Sequence, residues 1–279
     1  MKKVVIFIAL LVAWGKCHAT IDIAIKTPEG VVFASDSRVT GDNTEIISDT
    51  YEKIVKVSRF VMVQAVGSAS PGNKNLKTTI QDFRWKFHFS DTASICIDSI
   101  INMFVRYCEK ERKGGTDYTG FTINFAGPDS AGSVQYFQYL PGIQSPPRQG
   151  GYDVYWVGIP NTSDRLIKGI DAEMRQRIDS LFKGNVSGAK GDSARAKLDE
   201  IIDQYGIVRT QRFDWSLQDA IDYAYMLVYT TILVDRMSLG KYRDDEKKVN
   251  PLTGGRIIEC AVTRDGAQWI LPPNYAPKQ

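Results

Sequence analysis

Histidine is almost missing from this chain: His18 and His88 are the only two in 279 residues. A nucleophile–histidine–acid triad and a zinc site with several imidazole ligands both need more than that. His88 lies in FRWKFHFSD, away from any cysteine or carboxylate pair, and reads as a surface residue. No metal and no cofactor is expected. Any hydrolytic chemistry must draw its base from a group other than imidazole. Cysteine is scarce too. Cys17, Cys96, Cys108 and Cys260 are the four, and the three beyond residue 19 are an odd number, which excludes a fully paired disulfide framework. Cys96 and Cys108 fall in one apparent helix about a third of a turn out of phase, so free thiols are expected.

Long hydrophobic runs are missing as well. Val4 to Trp14 is the longest apolar stretch near the start, well short of the ~20 residues that span a bilayer. With Lys2 and Lys3 before it and Cys17-His18-Ala19 after it, residues 1–19 read as a cleaved secretory signal. Lys16 directly before Cys17 is a poor fit to a lipoprotein site. The expected product is an exported protein, periplasmic or extracellular, comprising residues 20–279 as a single domain with no stable membrane anchor. Charge of one sign is also lacking. The 35 basic residues include Lys2, Lys3 and Lys16, so the mature chain holds 32 against 32 acidic ones. A global electrostatic case for nucleic acid or an anionic membrane therefore fails.

What is present is an ordinary globular composition, 43% hydrophobic and 24% charged, without solenoid-length repeats. TIDIAIKT, GVVFASDS and RFVMVQAVGS are β-branched runs separated by turn signals and read as an antiparallel meander. Helical spacing follows over 75–89 and 92–112, then strand candidates YTGFTINFAG, SVQYFQYL and YDVYWVG. Residues 163–183 read as a helix with Ser163 as N-cap. The longest helix is SLQDAIDYAYMLVYTTILVDRMS, with Ser216 as N-cap and Asp219 in its first turn; being apolar on most faces, it is expected between layers. GGRIIECAVTRDGAQWIL gives a final strand pair. Strands, helices, strands, helices, strands fit α+β with two antiparallel sheets and helices outside them.

Thr20 opening a strand, then GVVFASDSR, YEKIVKV and AVGSAS, together resemble the opening of a proteasome β-type subunit, one of the N-terminal-nucleophile hydrolases. YWVGIP, SLQDAIDYAYMLVYTTILVDRMSLG and GGRIIECAVTRDG resemble that family's second half, with insertions near 141–152, 184–212 and 241–252. The resemblance implies a four-layer αββα sandwich. It also implies Thr20 as N-terminal nucleophile, Asp36 and Lys53 as its acid and lysine, Gly67 as the oxyanion N–H, and an Asp-x-x-Ser pair at Asp235 and Ser238. Tyr51, Val55, Ala65 and Ala69 are implied as walls of an apolar substrate pocket. One departure stands out: Ile159 follows Gly158 where the family carries a proton-handling serine.

The chemistry has a rationale of its own. A threonine hydroxyl needs a base within reach, and a free α-amine of pKa about 7.7–8.0 is suited to the task. Each residue also has a plainer reading: Thr20 as a β-former, Asp36 as a turn cap or partner of Arg38, Lys53 as a solvated neighbour of Glu52, Gly67 as a bulge, and Asp235 and Ser238 as a helix end. The leading expectation is an exported threonine-type peptidase or amidase acting on peptides or unfolded chains. It would work as a homo-oligomer, with a ring as one form, and without an ATPase partner, since compartments beyond the inner membrane generally lack ATP. The alternatives are a catalytically silent assembly or binding protein, and a small-amide hydrolase on the same fold.

Overall fold

The computed structural model describes residues 21–40, 45–67, 76–88, 94–115, 118, 121–143, 146–158, 215–238 and 251–273, with scattered helical residues between 175 and 200. Two five-stranded antiparallel sheets form its centre. Sheet I contains β1 (Ile21–Lys26), β2 (Val31–Asp36), β10 (Val154–Gly158), β11 (Ile257–Thr263) and β12 (Gly266–Leu271), in the order β10-β1-β2-β11-β12. Sheet II contains β5 (Ile54–Lys56), β6 (Met62–Gly67), β7 (Phe121–Pro128), β8 (Val134–Tyr139) and β9 (Arg148–Gln149), in sequence order. A small ribbon pairs β3 (Val39–Thr40) with β4 (Ile46–Ser48).

Strand periodicity assigns the layers. On β1 and β2, Ile21, Ile23, Ile25, Val32 and Ala34 face helix α3 (Leu217–Ser238), meeting Ala220, Ala224, Leu227 and Val228. The intervening Val31 and Phe33 face sheet II, packing with Met62, Tyr136, Ile258 and Cys260. On sheet II's outer side Val63 and Phe125 meet Ile80 and Phe83 of α1 (Leu76–Lys86) and Phe104 of α2 (Ile97–Lys113). This is the αββα sandwich. Each fully buried Ile or Phe removes apolar surface worth about 1.5–3 kcal/mol, and the small Ala220 and Ala224, one turn apart, let α3 lie close to the sheet. The β1–β2 turn is tied by Thr27, whose hydroxyl accepts the N–H groups of Glu29 and Gly30 at 3.2 Å each. At Gly30 a Cβ would run into the Val262 carbonyl of β11.

Several expectations need correction. The first three strand candidates do not form one meander: β1 and β2 pair, but β6 lies in the opposite sheet between β5 and β7. The three-residue β5, too short to stand out by alternation, is the neighbour that recruits it. Helix α2 starts at Ile97, because Cys96 is extended (φ −72°, ψ 156°) as its N-cap residue. Cys96 therefore lies outside the helix; it is half-buried, Cys108 and Cys260 are buried, and all three are free. Helix α3 lies on one sheet rather than between layers, leaving Tyr225, Met226, Tyr229 and Met237 exposed. Its cap matches expectation: Ser216 Oγ accepts the Asp219 N–H at 3.1 Å while Asp219 accepts the Ser216 N–H at 2.9 Å, a reciprocal capping box. Residues 163–183 fall mostly outside the described residues, with helical backbone at 175–176 and 178–180. His88 is exposed and closes α1 at φ 56°.

Candidate active site

Asp36 ends β2 with no exposed surface. A buried carboxylate is costly unless donors surround it, and among the described residues three do. Its Oδ1 accepts the Ile21 N–H at 3.1 Å and the Lys53 ammonium at 2.5 Å, and its Oδ2 accepts the Gly254 N–H at 2.9 Å. Lys53, 5% exposed, immediately precedes β5. Its carbonyl accepts the Ala65 N–H at 2.9 Å, which fixes the lysine backbone to β6. The ion pair thus joins sheet II to sheet I at the point where β1 begins.

The segment 251–256 closes the site. Thr253 is fully buried; its N–H and hydroxyl donate to Asp235 Oδ2 at 2.6 and 2.9 Å. The Arg38 guanidinium donates to the Pro251 carbonyl at 3.0 Å and grips Asp49 through two bonds, Nε to Oδ1 at 2.6 Å and Nη2 to Oδ2 at 3.0 Å. Gly255, at φ 71°, makes the left-handed turn that lets the Arg256 N–H reach Ser37 Oγ at 2.7 Å. Gly254 is thereby positioned to donate to Asp36.

The residues singled out in the sequence distribute as follows. Asp36 and Lys53 are in direct contact. Gly67 is the last residue of β6, opposite Phe121 in the β7 register. Tyr51, Val55 and Ala65 all pack on the outer side of sheet II with the core beneath α1 and α2. Asp235 lies on α3 and holds Thr253 rather than Asp36. Thr20, Ala69 and Ile159 lie outside the described residues, as does the Ser238 side chain. Sequence reasoning missed Thr253, Gly254, Arg38 and Asp49 as parts of the site. A signal existed for one: Arg38 follows the Asp36 motif by two residues. Thr253 carried none, since 18 residues separate it from Asp235. No group of three or more His, Cys, Asp or Glu residues able to hold a metal occurs among the described residues.

Two face-to-face antiparallel sheets with helices outside, and a buried acid–lysine pair where the first strand starts, define an α+β sandwich of the N-terminal-nucleophile hydrolase class. Residues 17–141, less than half of the chain, match the model of the proteasome subunit family. The match contains Asp36, Lys53, Gly67 and strands β1–β8; β10, α3, β11 and β12 complete the sandwich beyond it. No curated protein matches the chain significantly.

Proposed function

We propose that the mature protein is an exported threonine hydrolase cleaving peptide or related amide bonds, with Thr20 as nucleophile once residues 1–19 are removed. One observation carries the reading: the buried Asp36 carboxylate binds both the Lys53 ammonium and the Ile21 amide, and that amide nitrogen is the atom bonded to Thr20. Asp36 thus tethers the residue following the nucleophile and the lysine meant to act beside it.

The α-amine of Thr20 takes the hydroxyl proton as the oxygen attacks the substrate carbonyl. Nucleophile and base share one residue, so little positioning entropy remains to be lost. A lysine ammonium nearby favours the neutral amine by like-charge repulsion. The Gly67 N–H stabilises the oxyanion, a contribution of about 3–4 kcal/mol in hydrolases where one such donor was removed. Collapse of the tetrahedral intermediate breaks the C–N bond as the α-ammonium gives its proton to the leaving amine, and water activated by the same α-amine then hydrolyses the acyl-enzyme ester and frees the Thr20 hydroxyl. Thr253 supplies a hydroxyl that donates to Asp235. The substrate class is peptides or unfolded chains, and the assembly is a homo-oligomer without an ATPase partner.

Ile159 in place of a serine favours one other reading, a catalytically silent assembly protein on the same fold. Intact mass and a threonine-directed covalent electrophile separate the two. The enzyme reading expects a mature chain starting at Thr20, labelled once, and no label on Thr20→Ala. A start at any other residue, or equal labelling of both proteins, defeats it.

A further inference from the structure

On the far side of sheet II from sheet I, a cavity of about 350 Å³ lies between α2 and the chain following β8. One wall is a stripe along α2: Asn102, Val105, Glu109 and Arg112, at the three- and four-residue spacing that places side chains on one helical face. Tyr139, the last residue of β8, contributes a ring, and three prolines of the 141–147 stretch line the cavity with it.

The charges have no work inside the fold. Among the described residues neither the Glu109 carboxylate nor the Arg112 guanidinium has a hydrogen-bond or ion-pair partner. They stand one helical turn apart, opposite in sign and more than 4 Å from each other. Burial pushes the Tyr139 hydroxyl up to about 12, with Cys108 and Glu109 adding to the rise and Arg112 opposing it. It therefore remains a protonated donor at any physiological pH. Lys110 and Lys113 add positive charge to the same last turn of α2.

We propose that this groove is a second peptide site, taking short peptides by the free α-carboxylate of their last residue. Arg112 forks onto the carboxylate, a planar match of donor pair to acceptor pair. Glu109, a turn away, accepts the N–H of the same residue. The preceding residues run along the stripe toward Val105 and Asn102. Ten residues of helix span about 15 Å, which accommodates about four extended residues at ~3.3 Å each. Prolines on the facing wall present no N–H groups and little freedom to lose on binding, so that wall is pre-organised. The peptide identity of the ligand rests on the hydrolase reading. For such an enzyme the ligand class is its own product, since every cleavage creates a new free α-carboxylate.

The test is a titration of the full-length Thr20→Ala protein, which cannot consume the probe, followed by NMR of its amides. The probes are tetra-alanine as free acid, tetra-alanine as C-terminal amide, and free alanine. The expected result is perturbation at Glu109, Arg112 and Tyr139, with the free acid binding about tenfold tighter than the amide and tighter than alanine. Arg112→Gln should erase the acid–amide difference with melting unchanged. Equal binding of acid and amide, alanine binding as well as the tetrapeptide, or no binding by about 10 mM overturns the proposal. Absence of label on Thr20 in the wild type would defeat the hydrolase reading and leave this binding result standing.

Discussion

Among the described residues, three donors converge on the two oxygens of Asp36: Ile21 N–H, the Lys53 ammonium and Gly254 N–H. Removing either member of a buried ion pair strands the other charge, at about 3–5 kcal/mol. Asp36→Asn and Lys53→Met should both lower Thr20 labelling at least ~100-fold, the scale on which acid–base arrangements act. Melting should drop as well, so rates must be compared well below the transition. Labelling within tenfold of wild type in either variant would remove the pair from the mechanism. Thr253 makes a finer point. Its hydroxyl donates to Asp235 while its neighbour Gly254 donates to Asp36, so it acts on the carboxylate at one remove. Thr253→Val keeps the shape and loses the hydroxyl; Thr253→Ser keeps the hydroxyl and loses the methyl. We expect about tenfold slower labelling for valine and near-normal labelling for serine, matching the loss of one charge-assisted hydrogen bond. Equal effects from both substitutions would mean that Thr253 serves only packing.

Elements show why some of this was legible and some was not. Ser216 and Asp219 announced the start of α3 because a capping box is written in four consecutive residues. The Asp36–Lys53 pair was reachable through family resemblance, its two members lying in the matched stretch. The Asp235–Thr253 contact crosses an 18-residue connection, and no local pattern encodes a contact of that span. Sheet membership failed for a related reason: alternation identifies β6 as a strand, whereas its partners are set by β5 and by the buried surfaces. The apolar character of α3 was visible, but one-sided packing on sheet I was not. A further test belongs to that α3–β11 layer. Glu259 of β11 shares a face with Ile257 and Ala261 against α3, is 1% exposed, and has an oxygen without a hydrogen-bond partner. Burial, aided by Asp222 of α3, raises its pKa from 4.5 to about 8. Between those values the folded protein keeps a proton that the unfolded chain has released. Stability is therefore full below pH 4.5, declines as pH rises toward 8, and is flat in this respect above it. Glu259→Gln cannot ionise, so its melting-temperature advantage over wild type should widen from pH 5 to pH 8 and then stop growing. A constant difference across that range would show that folding leaves the Glu259 pKa unchanged.

Across the whole molecule, the site depends on how one sheet sits on the other, since Asp36 belongs to sheet I and Lys53 adjoins sheet II. The polar bridge between them lies deep in the sandwich. Gln64 of β6 donates to the Ile23 and Ala34 carbonyls of sheet I at 3.3 and 3.0 Å. Its own oxygen accepts from Asn124 at 3.0 Å, and Asn124 accepts the Tyr136 hydroxyl at 3.0 Å. Apolar contacts between sheets resist separation but tolerate sliding; directed hydrogen bonds fix the offset. Gln64→Leu would leave Asn124 with a buried unsatisfied donor, costing about 1–3 kcal/mol, and would free sheet II to shift against sheet I. Val63→Ala, next along β6 but facing the helices, should cost a similar ~2 kcal/mol through lost burial while leaving the offset intact. If register between the sheets governs the Asp36–Lys53 geometry, Gln64→Leu slows Thr20 labelling severalfold and Val63→Ala does not, at matched distance below each melting temperature. Equal slowing in both would assign the effect to global stability, and the sandwich interface would then have no part in setting the site.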